Sequence, residues 1–363
     1  MARIVTVCTE RPLALVNMAH IRWYKIAEGL ARLGHTVDIA ANEESRRRWP
    51  WRPATTRLAP NLGRVPLGRV KWSRYDVVKV TYQEGFEILE KHRGARHDFI
   101  ISRLSTVVGP EDAAGSYFEG PLRRRMYEAQ QRIRQVSRYL AVSNEPARAL
   151  WVQLHGAAPP VVLVPGAVDR DIPEPADDPY PAGGGGRCLF AGNFSWKNYA
   201  PRANATLSEK LNRLGELLAR HEIRLYTVGP GDTDLLDSRY VTHLGVVPYE
   251  RSWSYLQFAH VGIDLVKGQG FLHNTESSKL YHYLRAGLPA VVEAGLPNAD
   301  LVEAAGLGYV VPSDDLALFA QKVADAAAER WDRRRAVDYI LEHHTWDSRA
   351  LVYHRLLTGV PGR

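Results

Sequence analysis

Residues 271–292 read FLHNTESSKLYHYLRAGLPAVV, and this stretch joins a polar loop, a helix start and a buried strand. Thr275 is predicted as the helix N-cap, and Glu276 lies where the helix dipole favours a carboxylate. Apolar residues then repeat at helical spacing as far as Gly287, and a short apolar run follows. The hydroxyls and the lysine of residues 277–279 make this helix start a candidate anion site. The simpler interpretation is an ordinary αβ unit with a polar first turn.

The rest of the chain alternates short apolar runs with amphipathic segments. At its start, residues 3–8 predict a strand and residues 9–19 a loop, after which residues 21–34 predict a helix and residues 35–40 a second strand. The same order recurs along the chain, interrupted by the Pro- and Gly-rich residues 171–186, which predict a linker. This alternation indicates the α/β class, with two Rossmann-like, doubly wound parallel-sheet domains that face each other across a cleft.

Length and composition agree with two domains. The chain has 363 residues, of which 45% are hydrophobic and 24% charged, as in globular proteins that are too long for one core. Cys8 and Cys188 lie in apolar runs, so we expect buried thiols in the cytoplasm and no disulfide framework. The sequence has neither a membrane-spanning apolar run nor a signal-peptide pattern. The predicted bounds are an acceptor domain over 1–168, a linker over 169–186, a nucleotide-sugar domain over 187–345 and a returning C-terminal helix over 346–363.

The net charge of +7 and the pI of about 9.3 reflect an excess of arginine and lysine, much of it in the first half. A solvated basic surface is the simplest interpretation, and a nucleic acid, an anionic membrane surface or a phosphorylated ligand are the alternatives. Residues 43–74 show no clear periodicity and predict a long excursion outside the core. Trp49, Trp51 and Trp72 lie among these basic residues, which makes residues 46–75 a candidate acceptor-binding or interfacial surface.

Polar residues near the strand ends of the first half are candidates for the acceptor side. Loops at the carboxyl ends of parallel strands face the ligand, so Glu10, Arg22, Asp98 and Arg103 are expected there, the last in an exit loop. His20 is a candidate general base or phosphate contact, although a lone histidine near a helix start is more often a cap or a solvent-facing residue. The first loop lacks a GxGxxG dinucleotide fingerprint.

Three loops of the second half offer groups that suit a nucleotide diphosphate. Gly192 and Asn193 end a strand and Lys197 follows, Gly-Pro-Gly occupies residues 229–231, and Glu276 to Lys279 open a helix. Glycines let the backbone approach an anion closely, and lysines supply positive charge. We expect protein cations rather than a metal to neutralise the phosphates, because the sequence has no Walker lysine motif and no aspartate pair suited to magnesium. HExxH and CxxC pairs, which would indicate zinc, are absent as well.

Several segments resemble, in order and spacing, glycosyltransferases of the GT-B fold, nearest to family 4. They are VPGAVD (164–169), LFAGNFSWKN (189–198), LYTVGPG (225–231), VTHLGVVPYERSWSYLQFAHVGIDLV (241–266), ESSKLYHYLRAGLPAVV (276–292) and HTWDSRA (344–350). The resemblance covers nearly all of residues 160–357, and the first half agrees through GHTVDIA (34–40). It implies that the C-terminal domain holds a nucleotide-sugar, that the N-terminal domain holds the acceptor, that no metal is required and that the last helix returns to the N-terminal domain.

The family's binding residues carry over only in part. Lys197 matches the lysine that binds the diphosphate, whereas Asn193 stands where a basic residue is usual. Of the family's two glutamates, the one near the sugar hydroxyls falls on Asn274 and the one that touches the ribose falls on His282. The resemblance still implies that Glu276 contacts sugar or ribose hydroxyls.

The remaining residues of the block are expected to contact the phosphates, and Lys279 fits a variant common in bacterial polysaccharide and natural-product enzymes. The candidate donor-binding residues are therefore Gly192, Asn193, Lys197, Gly229, Pro230, Gly231, Glu276, Ser277, Ser278, Lys279 and His282. The candidate catalytic residues are His20, Lys197 and Glu276.

The resemblance implies an enzyme, a hexosyltransferase-like glycosyltransferase that uses a UDP or GDP sugar. Its acceptor would be a hydroxyl of a glycan, a lipid-linked intermediate or a natural product, and it would need no cofactor. If the reaction inverts, His20 is the first candidate base, with Glu10 and Asp98 next; if it retains, the diphosphate itself can assist.

Other functions stay open at this point. The departures at Asn193, Asn274 and His282 also fit an inactive GT-B partner protein. The basic first half also fits a nucleic-acid-directed glycosyltransferase or contact with the inner membrane surface, and a nucleotide-sugar epimerase shares the fold.

Overall fold

The computed structural model describes residues 1–13, 15, 18–42, 56–92, 99–110, 118–174, 177–183, 185–195, 201–267, 274–313 and 315–359. The chain divides into two compact units. The first comprises Met1–Gly109, Arg124–Ala167 and Trp346–Arg363, and the second comprises Pro110–Arg123 and Val168–Thr345. Each unit is built on a largely parallel sheet, which confirms the predicted α/β class with two Rossmann-like sheets.

Strands and helices alternate through the first part of the chain. They are β1 (Arg3–Pro12), α1 (Met18–Arg32), β2 (Thr36–Asn42), β3 (Thr56–Ala59), β4 (Leu62–Val65), β5 (Val77–Thr81), α2 (Tyr82–Lys91), β6 (Ile100–Arg103), α3 (Gly120–Val136), β7 (Tyr139–Val142), α4 (Glu145–His155) and β8 (Val161–Leu163).

The alternation continues in the second part. Its elements are β9 (Gly186–Ala191), α5 (Pro201–Ala219), β10 (Ile223–Val228), β11 (Val241–His243), α6 (Tyr249–Phe258), β12 (Val261–Asp264), α7 (Ser278–Arg285), β13 (Ala290–Glu293), α8 (Asp300–Ala305), β14 (Gly308–Val311), α9 (Leu316–Ala328), α10 (Arg333–His343) and α11 (Trp346–Thr358).

The first sheet has the strand order β3-β4-β2-β1-β5-β6-β7-β8, and only the β3–β4 pair is antiparallel. One face carries a core of aliphatic and aromatic side chains that includes Phe86 and Trp151. The opposite face meets α1 and α11. Because Gly29 of α1 lacks a side chain, Ala350 of α11 packs directly on it, and a β-carbon at Gly29 would lie 2.6 Å from that of Ala350.

Helix α11 completes the first unit. The Arg349 guanidinium donates to the Gly166 carbonyl oxygen from Nε at 3.1 Å and from Nη2 at 3.0 Å. Arg32 and Asp347 form an ion pair between α1 and α11 at 2.5 Å. The last helix of the chain is therefore part of this unit.

The second sheet is fully parallel and has the order β11-β10-β9-β12-β13-β14. Its core joins strand residues such as Phe190 and Ile263 to leucines of α5 and to Phe319 of α9. At its centre the Tyr283 hydroxyl accepts from the Ala191 amide at 2.9 Å and lies 3.2 Å and 3.1 Å from the carbonyl oxygens of Leu189 and Ile263. One side chain of α7 thus ties β9 to β12.

Two expectations about the first half were wrong. Strand β1 continues to Pro12, so Glu10 belongs to a strand and not to a loop. Residues 43–74 are not wholly outside the core, because β4 pairs in parallel with β2 and Trp72 is buried among the core side chains. Trp72 is therefore not available for stacking on a ligand, and Trp49 and Trp51 lie outside the described residues.

One helix boundary and one whole helix in the second half also differ from the prediction. The N-cap of α7 is Ser277 and not Thr275, so Glu276 precedes the helix. Helix α10 was not predicted, because only Ala336 and Ile340 of its residues are buried and this narrow apolar stripe lies among charged side chains.

Candidate functional site

The topology of the second sheet identifies where a ligand would bind. From β9 the chain builds outward through β10 to β11, and it then returns to the other side of β9 to build β12, β13 and β14. The strand order reverses between β9 and β12. In open parallel sheets, ligands bind beyond the carboxyl ends of the strands at such a reversal.

Lys279 lies at this position, in the first turn of α7. Its Nζ is 3.1 Å from Asp264 Oδ1 at the end of β12 and 4.6 Å from the centre of the Phe190 ring in β9. A β-carbon on residue 192 would lie only 2.5 Å from Cε of Lys279, which is too close for any residue but glycine while the lysine holds this position. Gly192 therefore makes room for the lysine, and Asp264 orients its charge.

The charge of the same carboxylate also acts on a second lysine. The pKa of Lys267 is held well below its usual value, chiefly by loss of hydration and also by the charge of Lys279, while Asp264 opposes the shift. Sequence reasoning missed both Asp264 and Lys267. Their signal was the polar end of the apolar run in residues 261–267, read only as the end of a strand.

The backbone before α7 is fixed by a distant side chain. The Ser277 amide donates to Asn298 Oδ1 at 2.9 Å, and Asn298 Nδ2 donates to the Ser277 carbonyl oxygen at 2.9 Å. The Ser277 hydroxyl is buried and has no hydrogen-bond partner among the described residues. The start of α7 therefore presents amide groups and a hydroxyl that can donate to an anion.

The other residues of this block have contacts within the unit. Glu276 Oε2 accepts from the Tyr281 hydroxyl at 3.0 Å. The Nδ1 of His282 donates to the Ser278 carbonyl oxygen at 2.7 Å, and its Nε2 lies 3.2 Å from the Tyr249 hydroxyl. Both ring nitrogens of His282 are thus engaged, and the Nε2 contact joins α7 to α6. Asn274 is buried.

The loops after β9 and β10 are joined to each other. The Gly192 amide donates to the Val228 carbonyl oxygen at 2.7 Å, and the Phe194 amide donates to that of Pro230 at 3.2 Å. A β-carbon at Gly231 would lie 2.1 Å from the Phe194 ring. Close packing therefore requires this glycine.

Two further predicted residues belong to the same loops. Gly229 adopts a positive φ of 126°. Asn193 Oδ1 accepts from the Ser195 amide at 3.0 Å, which forms a tight turn. Lys197 lies outside the described residues.

A buried ion pair lies beside the carboxyl ends of β12 and β13. Lys210 Nζ lies 2.9 Å from each carboxylate oxygen of Glu293, and Glu293 Oε2 accepts from the Val266 amide at 2.5 Å. The pair links α5 to β13 and fixes the segment that carries Lys267. Sequence reasoning did not single out these residues, because their partners are distant in the chain.

In the first unit the order of the strands reverses between β1 and β5. His20 lies in the first turn of α1 with 7% of its surface exposed, and its ring meets Trp23 edge-on at 6.1 Å. Arg22 follows in the same helix and is 8% exposed. Arg103 is the last residue of β6, not part of an exit loop, and is 1% exposed. The side chain of Glu10 and all of Asp98 lie outside the described residues.

Part of the basic surface is neutralised by neighbouring carboxylates. Arg125 Nε lies 2.9 Å from Glu87 Oε1, and Arg132 Nε lies 3.1 Å from Glu90 Oε1. These pairs join α3 to α2. Where the structure describes the chain, no helix is long and apolar enough to span a membrane, and no three His, Cys, Asp or Glu side chains gather as metal ligands.

Neither a protein-family model nor a curated protein sequence matches the chain. Several solved structures do match the chain. Sucrose-phosphate synthase from Thermosynechococcus elongatus superposes with a TM-score of 0.73 at 14% identity, covering 99% of both chains. AviGT4, a glycosyltransferase of avilamycin A biosynthesis, gives 0.63 at 18% identity, covering 99% of both chains.

A third solved structure, trehalose-6-phosphate from Escherichia coli bound with UDP-2-fluoro glucose, gives a TM-score of 0.66 at 11% identity, covering 99% of this chain and 100% of that one. At these identities the likeness concerns the fold. The chain therefore has the α/β fold of GT-B glycosyltransferases over its whole length.

Proposed function

We propose that the protein is a glycosyltransferase that moves a sugar from a nucleotide-diphosphate sugar to a hydroxyl of an acceptor. The observation that carries the proposal is the placement of Lys279 beside Gly192 and Asp264 at the strand reversal of the second unit. The fold shared with glycosyltransferases, one of them bound to a UDP sugar analogue, supports the same reaction class.

The proposed donor site uses charge and oriented backbone groups. In glycosyl transfer the leaving diphosphate gains negative charge while the anomeric carbon gains positive charge. Groups already aimed at that developing charge supply the largest share of the rate enhancement. Here Lys279, the amide groups at the start of α7 and the unpartnered Ser277 hydroxyl would hold the diphosphate. We assign Glu276 to hydroxyls of the sugar or the ribose.

We also propose that the reaction needs no metal, because Lys279 supplies a positive charge at the strand end and Lys267, whose pKa is lowered in the free protein, would gain a proton beside a diphosphate. The loops after β9 and β10, with Gly192 and residues 229–231, would border the nucleotide. Lys197, which follows the first of these loops, stays a proposed diphosphate ligand.

We propose that the first unit binds the acceptor. His20 is the candidate base if the reaction inverts, since it lies beside the strand reversal of that unit. If the configuration is retained, the departing diphosphate can take the acceptor proton, and His20 then only positions the acceptor.

Replacing Lys279 with alanine tests the assignment. We expect the release of nucleoside diphosphate from a nucleotide-sugar to slow by about 10²–10³-fold, the usual effect of removing one stabilising donor. The matched control is Lys322→Ala, which removes a partly exposed lysine of α9 that pairs with Asp325. Equal turnover in the two variants, with both folded by circular dichroism, would contradict the phosphate role of Lys279.

A further inference from the structure

Three basic side chains gather under helices α1 and α11 in the first unit. Lys79 projects from β5 with 3% of its surface exposed, and Arg103 follows at the end of the neighbouring strand β6. Arg22 approaches from α1. Burial above all, and then the charges of Arg103 and Arg22, lower the pKa of Lys79 to about 7. The pairing of β5 with β6 sets Arg103 opposite Thr81, two residues beyond Lys79.

Lys79 has no carboxylate partner among the described residues. Its Nζ donates to Thr81 Oγ1 at 3.3 Å and lies 4.9 Å from the centre of the Tyr353 ring. The two arginines have additional contacts of their own, so the inference rests on Lys79 and Tyr353.

Tyr353, from α11, is fully buried, and its hydroxyl has no hydrogen-bond partner among the described residues. Burial raises the pKa of this hydroxyl to about 12, and the charges of Arg103 and Arg22 act against that shift. A buried hydroxyl without a partner loses hydration and gains nothing in return. Its position beside cationic groups points to a missing acceptor of hydrogen bonds.

Among the residues that the structure describes, the other titratable groups near Lys79 do not supply that acceptor. The Cys8 thiol of β1 has its pKa raised to about 12, chiefly by burial and then by Glu84, and so stays protonated. The Glu84 carboxylate of α2 accepts from the Thr9 hydroxyl at 2.7 Å.

The backbone is strained at the same place. Tyr82, which follows β5 directly, has a φ of +63°, and the Arg103 guanidinium lies 6.0 Å from the centre of its ring. Non-glycine residues held in this conformation cost about 1–3 kcal/mol and concentrate at binding sites. The strain at Tyr82 therefore supports a binding role for the strand reversal between β1 and β5.

We propose that the acceptor carries a phosphate group and that Lys79, Arg22 and Arg103 bind it. The inference rests on the proposed function and names the acceptor class of its second substrate. Two guanidinium groups and an ammonium group match the charge and the hydrogen-bond acceptors of a phosphate dianion. The Tyr353 hydroxyl donates a further hydrogen bond to it.

When a phosphate binds beside Lys79, the protein takes up a proton. A dianion beside Lys79 favours the ammonium form, so the pKa of Lys79 rises in the complex. At pH 8 the phosphate is already a dianion and the amine without ligand is mostly neutral. Between pH 7.5 and 9, affinity should therefore fall by up to tenfold per pH unit.

Calorimetric titration tests the proposal with inorganic phosphate, a hexose phosphate and an isoprenyl phosphate as probes. The full chain carrying Lys279→Ala is used, so that phosphate does not report on the donor site. Adding Lys79→Met should weaken binding tenfold or more and abolish proton uptake, which is measured at pH 8 in two buffers of different ionisation enthalpy. The two organic probes distinguish a free sugar phosphate from a lipid-borne one, and binding of either supports the proposal.

Tyr353→Phe is the second variant. It should weaken phosphate binding severalfold and leave the melting temperature without phosphate unchanged or higher, because it deletes a hydroxyl that has no partner. Equal phosphate affinity with and without Lys79, or no proton uptake, would overturn the proposal.

The titration also separates this proposal from the donor assignment. A nucleoside diphosphate should bind Lys79→Met as tightly as it binds the wild type. If no nucleotide binds the wild type while phosphate binding still depends on Lys79, the donor assignment fails and the phosphate site stands.

Discussion

Lys279 and Lys79 hold comparable positions at the strand reversals of their units, yet their surroundings differ. Lys279 has the Asp264 carboxylate at 3.1 Å, whereas the charges of two arginines act on Lys79. A carboxylate partner stabilises an ammonium charge, and burial near other cations opposes it. The two lysines therefore suit different tasks: Lys279 is held in an ion pair, and Lys79 gains its charge when an anion arrives.

The lowered pKa of Lys79 makes a prediction about stability. Between pH 7 and about 10.5 the unfolded chain holds a proton on Lys79 that the folded chain does not, so stability rises with pH by about 1.4 kcal/mol per unit. Below pH 7 both states hold the proton and the penalty is complete. Lys79→Met should therefore stabilise the protein most below pH 7, and its advantage should shrink toward pH 10.

Urea unfolding of the wild type and Lys79→Met at pH 6.5 and pH 9 measures this difference. Lys322→Met, at a partly exposed site, should show no such dependence. A stability difference that is the same at both pH values would mean that Lys79 titrates normally.

Helices and strands with a wide apolar face were predictable from the sequence. Their boundaries were not predictable where contacts with distant residues determine them. The apolar runs at 290–292 and 308–311 correspond to β13 and β14. The start of α7 was misplaced because hydroxyl residues follow one another there, and the choice of Ser277 depends on hydrogen bonds from Asn298. That contact spans 21 residues and leaves no local signal.

Tyr283 offers a test of how α7 holds the donor-side strands together. Its hydroxyl accepts from the Ala191 amide and contacts carbonyl oxygens of β9 and β12, and its ring covers Gly262. Tyr283→Phe removes the acceptor and leaves a backbone amide without a partner. We expect a loss of about 1–3 kcal/mol in the free energy of unfolding.

Chemical denaturation measures that loss. The matched variant is Tyr309→Phe, whose hydroxyl bonds Glu329 at the exposed side of the same unit and should cost less than 1 kcal/mol. A smaller loss for Tyr283→Phe than for Tyr309→Phe would contradict this assignment.

At the scale of the molecule, periodicity and the resemblance to GT-B glycosyltransferases predicted the fold, and solved structures of that fold cover the whole chain. The candidate sites were predicted less completely. Lys279, Ser277 and Arg22 were named as candidates because motifs or strand ends mark them, and their roles stay predictions. Lys79 was missed because it lies inside an apolar strand, where only the three-dimensional neighbours reveal its chemistry.

The central claim is that the second unit binds a nucleotide diphosphate around Lys279. The most direct measurement is the thermal shift of the full chain against nucleoside diphosphates and nucleotide-sugars, comparing the wild type with Lys279→Ala and Lys322→Ala. We predict that one base class stabilises the wild type and Lys322→Ala by about 2.7 kcal/mol at a hundredfold excess over the dissociation constant. Lys279→Ala should respond far less. No response of the wild type to any of these ligands, or an equal response of all three proteins, would contradict the claim.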